Sequence, residues 1–152
     1  MKPTKNKSRH MTNDSIFPIA EAEKLISQFI ECTLPKTEWT HEAHLMTGLY
    51  HLAKFGDQAL PEMRLRIQRY NESAGTLNDD HHGYHETMTV FWLWILREVF
   101  ADENGTVHWN QDTLDDLLFD ENMSDRNLWL DYYSKERMLS VEARKRFVEP
   151  DL

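Results

Sequence analysis

Cysteine is nearly absent. Cys32 is the only one in 152 residues, which excludes an internal disulfide framework and a thiolate zinc site. Glycine and proline number five each, and the 40% apolar content argues against a disordered, collagen-like or loop-rich chain. No apolar run reaches the length of a membrane span, and residues 1–15 lack the apolar stretch of a secretory signal. Positive charge is also scarce: 17 Lys and Arg face 26 Asp and Glu, a net charge of −9. Lys2, Lys5, Lys7 and Arg9 fall in the first ten residues with no acid among them, so the rest of the chain is more acidic still. A body of that sign repels phosphate backbones, which argues against nucleic acid as the main partner. The expectation is a disordered basic leader over residues 1–15 and a single cytoplasmic domain over 16–152, large enough to bury a core and without a membrane partner. Oligomeric state is not encoded at this level.

What the chain does contain is a 3.6-residue hydrophobic period, with no convincing strand alternation and no internal repeat. Ala22, Leu25, Ile26, Phe29 and Ile30 form one stripe after Pro18. Thr40 is placed to cap a second helix carrying Leu45, Leu49 and Leu52 and ending at Gly56. A third helix opens at Pro61 and closes at Gly75, ahead of the turn-rich loop 75–83. The most apolar segment, about 84–101, has apolar groups on nearly every side and is expected to be the central helix. Asn110, Ser124 and Ser140 are candidate caps for later, shorter helices. The fold class is therefore all-α, a compact bundle of six or seven helices. Residues 102–131 hold nine acids against Arg126 alone, and the basic stretch 135–146 is expected to pack near them.

Two segments stand out chemically. Trp39-Thr40-His41-Glu42-Ala43-His44 and Gly83-Tyr84-His85-Glu86-Thr87 each put a His-Glu pair at a helix start. Histidines three apart share a helix face, so His41 and His44 can reach one ion. His85 would supply a third nitrogen, leaving an open position for water or substrate. The positive end of each helix dipole keeps such imidazoles neutral and favours an anionic ligand. Glu42 or Glu86 would complete the shell or take a proton from bound water. Nitrogen and oxygen donors suit Zn, Mn, Fe or Ni about equally. The HEAH spacing is one short of the metalloprotease His-Glu-x-x-His. With eight histidines, one pair at helical spacing is close to what composition alone gives, so the signal is the repeated His-Glu. The five tryptophans and Cys32 read as packing, His51 as a partly exposed helix residue, and His81, His82, His10 and His108 as solvated.

A second group, Arg64, Tyr70 and Asn71 with Tyr84 beyond the loop, would orient a small polar or anionic substrate, or else pair with acids and end a helix. The chain lacks a Gly-x-Gly-x-x-Gly, a P-loop and a Gly-x-Ser-x-Gly, so nucleotide-cofactor and triad chemistry have no support. The runs WTHEAHL (39–45), RYN (69–71), GYHETMT (83–89) and YSKERMLSVEARKRFVEPDL (133–152) resemble a family of bacterial proteins labelled only as hypothetical, over most of the chain after the leader. That resemblance implies one compact domain and supplies no reaction. The residues themselves lead to three readings. The first is a metal-dependent enzyme, a hydrolase, lyase or oxidoreductase, acting on a small molecule. The second is a metal-free small-ligand-binding or sensor module, and the third a protein-interaction domain using the acidic 102–131 face.

Overall fold

A computed structural model describes residues 17–152, so the expected leader lies outside the described residues. Five longer helices carry the architecture: α1 (Ile19–Ile30), α2 (His41–Phe55), α3 (Ala59–Ser73), α4 (Glu86–Phe100) and α5 (Gln111–Phe119). Three short ones follow: α6 (Glu121–Ser124), α7 (Lys135–Met138) and α8 (Val141–Lys145). The all-α expectation holds among the described residues, where the nearest thing to a strand is a single bridge between Ala101 and Val107.

Helix ends follow local chemistry. Thr40, Asn110 and Ser140 accept the backbone N–H three residues on, as read from the sequence. Gly56 at φ 55° and Gly75 at φ 81° end α2 and α3 in the left-handed region. Gly83 has no substitute: at φ 78°, a Cβ there would lie 2.2 Å from the Leu77 carbonyl oxygen. Asn78, whose Oδ1 accepts from Asn71 Nδ2 and Tyr84 N–H, ties this loop to α3 and to the approach to α4.

The core forms where α2, α3 and α4 meet. Helix α4 buries Phe91, Leu93, Ile95, Leu96 and Phe100 and packs on α2, α3 and α8. Helix α2 shares the central position, touching α1, α3, α4, α5 and α6. Small residues permit this. A Cβ on Gly48 would sit 2.8 Å from Leu96 Cδ1, so α2 and α4 pack closely there. The last residues are strapped onto α4: Thr87 Oγ1 donates to Arg146 O at 2.9 Å and accepts from Val148 N–H at 3.1 Å.

Several boundaries differ from the sequence reading. Helix α3 begins at Ala59, two residues before Pro61, which still lies in the first turn where its missing N–H costs nothing. Ser124 ends α6 instead of capping a helix, because Asp120 already caps that turn through Asn122 and Met123 N–H. The Leu128–Asp131 segment is a 3₁₀ turn, and Ser134 opens α7. Helix α8 stops at Lys145, leaving Phe147 largely outside the core. The basic stretch meets the 75–84 loop: Arg144 donates to Gly83 O at 2.8 Å and Lys145 pairs with Asp80 at 3.1 Å. Of the acidic stretch, Asp115 and Asp120 are buried parts of the fold, so that stretch is not one solvated face.

Candidate binding pocket

The N-terminal turn of α2 opens onto a pocket of about 380 Å³, within the range of small-ligand sites. Its apolar walls come from α2 (Leu45, Gly48), α3 (Met63, Ile67) and α4 (Met88, Trp92, Leu93, Leu96), with Trp39 beside them. Thr40, His41, His44, Thr89 and Arg126 supply the polar groups. The three-residue spacing thus does bring His41 and His44 to one place.

Each histidine is fixed by a backbone carbonyl. His44 Nδ1–H donates to Thr40 O at 2.6 Å, and its ring stacks on Trp39 at a centroid distance of 3.8 Å. Trp39 is held from its other face by Phe29, at 4.4 Å and 12°. His44 is exposed to solvent, yet the atoms packed around its ring lower its pKa, and His41 and Arg126 add to that effect. The neutral ring with Nδ1 protonated leaves a lone pair on Nε2, and no partner for it is present among the described residues.

His41 Nε2–H donates to Met123 O at 2.8 Å, and its ring lies edge-on to Trp92 at 5.0 Å. That bond pins α6 to α2 and so brings Arg126, three residues beyond Met123, to the pocket. The Arg126 side chain is exposed, and among the described residues no carboxylate pairs with it.

His85 belongs elsewhere. It caps α4, its Nδ1 accepting from Met88 N–H at 3.1 Å while its Nε2–H donates to Met138 O at 2.8 Å. The two His-Glu pairs are therefore out of step. His41 is the first residue of its helix and His85 is the cap before one, a one-residue offset that turns a side chain by about 100°. Glu86 receives Arg64 Nε at 2.9 Å and NH2 at 2.6 Å, together with the Tyr84 hydroxyl at 2.6 Å. Burial opposes its ionisation, but these donors outweigh burial and hold the carboxyl below its usual range. Burial, then the bond to Glu86, raises the Tyr84 phenol.

The metal-centre expectation is corrected by this geometry. Among the described residues, no group of three or more His, Cys, Asp or Glu is placed to hold a metal ion. Both nitrogens of His85 are occupied, Glu86 is taken by Arg64 and Tyr84, and Glu42 is exposed on α2 away from the pocket lining. His41 and His44 leave two nitrogen lone pairs, fewer than the three protein ligands of a catalytic zinc site. The described residues do not fit a Zn, Mn, Fe or Ni centre.

The proposed orienting group divides. Tyr70 is buried and donates to Leu34 O at 2.8 Å, and Asn71 braces Asn78, so both hold the fold. Arg64 and Tyr84 line a separate polar cleft with Asp79, Asp80, Arg144 and Lys145. His51 is fully buried and not a surface residue: its Nδ1–H donates to Thr47 O and its Nε2 accepts from Arg66.

Sequence reasoning missed Trp39, Met88, Thr89, Trp92 and Arg126. The tryptophans carried the same apolar signal as core residues, and only Arg126, the lone base among nine acids, offered a cue. Compared with protein-family models, with characterised proteins and with solved structures, the chain matches none.

Proposed function

We propose that the protein binds a small, mainly apolar molecule bearing one anionic group in the pocket between α2, α3 and α4. The observation that carries this reading is the Arg126 guanidinium, without a carboxylate partner among the described residues, at the edge of an apolar, aromatic-walled cavity. Aliphatic and aromatic walls take an apolar body, and a guanidinium takes a carboxylate in a forked geometry. Both histidines are tied to carbonyls and neither is placed with a carboxylate partner, so the pocket supports binding more directly than acid–base chemistry.

The test is thermal stabilisation by small carboxylates such as 3-phenylpropionate and octanoate, beside their neutral amides. Carboxylates at a concentration well above Kd should raise Tm, the amides should do so far less, and Arg126→Ala should weaken carboxylate binding about tenfold, as expected for a charge-assisted hydrogen bond. Equal stabilisation by acid and amide, or an Arg126→Ala variant that binds normally, would remove the reading.

A further inference from the structure

The pocket has a second polar feature beyond its cation. His44 is not free to choose its tautomer, since a carbonyl 2.6 Å from Nδ1 demands a proton there. Nor is the ring free to turn, because it is stacked on Trp39, which is itself stacked on Phe29. The Nε2 lone pair is therefore a fixed acceptor at the pocket. Arg126 lines the same pocket as His44, so a cation and a fixed acceptor face one cavity. A carboxylate that also carries an O–H donor complements the two, and the carbon next to the carboxylate is the nearest place for that donor.

Resting on the binding reading above, we infer that the ligand is a 2-hydroxy carboxylate with an aromatic or branched apolar substituent, and that His44 is the residue that selects the hydroxyl. The carboxylate meets Arg126, the hydroxyl donates to His44 Nε2, and the substituent lies against Leu45, Met88, Trp92 and Leu96. A 2-amino acid also offers a donor, but its ammonium sits beside the guanidinium, and like charges at that range repel. The site thus discriminates on two grounds. A ligand lacking the hydroxyl forgoes the bond to Nε2, and one carrying an ammonium meets the wrong charge.

The experiment is a calorimetric titration of the full chain with three ligands of one shape: 3-phenyllactate, 3-phenylpropionate and phenylalanine. 3-Phenyllactate should bind about fivefold more tightly than 3-phenylpropionate, and phenylalanine more weakly than either. His44→Phe should bind the first two alike while still binding 3-phenylpropionate. Equal binding of 3-phenyllactate and 3-phenylpropionate by the unaltered protein would overturn the role of His44 and leave the carboxylate pocket standing. Phenylalanine binding as tightly as 3-phenyllactate would overturn the hydroxyl assignment. If none of the three binds, both this inference and the pocket reading fall, and that comparison needs no variant to fold.

Discussion

Two polar regions flank α3 and α4, and they differ in how their groups are satisfied. Around Glu86 the carboxylate is fully engaged: Arg64 donates to it twice and Tyr84 once, with Arg144 closing on the Gly83 and Tyr84 carbonyls. Around His44, among the described residues, an imidazole lone pair and a guanidinium are left facing an apolar cavity. A saturated network holds a fold and has little left to offer a ligand. An unsaturated one beside an apolar wall is where a ligand gains most. The difference teaches that polar residue types alone did not mark the site. An accessible cation and acceptor beside an apolar cavity do.

Acidification gives the largest expected effect, at a satisfied histidine outside both regions. His51 is fully buried between Thr47 O and Arg66, and burial lowers its pKa from 6.5 to about 4. The unfolded chain then binds a proton that the folded chain refuses, so the stability this neutral ring supplies is complete above pH 6.5 and falls as pH drops towards 4. Urea unfolding should show the unaltered protein losing about 2 kcal/mol more than His51→Gln between pH 7 and pH 5. Identical losses would mean that His51 is solvated in the folded state. His44 adds to the same trend, but less, because solvent reaches its ring.

Removing the centre of the saturated cluster comes next. Glu86→Ala strands Arg64 and the Tyr84 hydroxyl and should cost about 2 kcal/mol, below the full penalty of a buried pair because the Arg64 side chain is 41% exposed. Denaturant midpoints measure that loss. Binding of 3-phenylpropionate by the folded variant should be unchanged. A variant that keeps its stability but loses binding would exchange the roles assigned to the two regions.

The longer helices were legible because their signals are local. The caps at Thr40 and Asn110 and the stops at Gly56 and Gly75 each depend on residues within one turn. The short helices α6 and α7 were not, since four residues barely exceed one period and leave a hydrophobic pattern nothing to repeat. The same boundary divides the site. His41 and His44 were placed together by a spacing within a single helix. His85 was misread because its role depends on being the cap residue rather than the next one along, a distinction finer than helix boundaries read from sequence. Arg126 reaches the pocket through a bond between His41 and Met123 O that spans 82 residues, and no periodicity reports such a contact.

Methionine-methyl and tryptophan-indole NMR during titration with 3-phenylpropionate sets the two regions side by side in one sample. Met63, Met88, Trp39 and Trp92 line the pocket, whereas the Met138 carbonyl receives His85 beside the saturated cluster. Signals from the first four should shift together and saturate at one Kd while Met138 stays in place. Movement of Met138 with Met63 and Met88 unmoved, or no saturable shift at any of them, would contradict the assignment of the ligand to the α2–α3–α4 pocket.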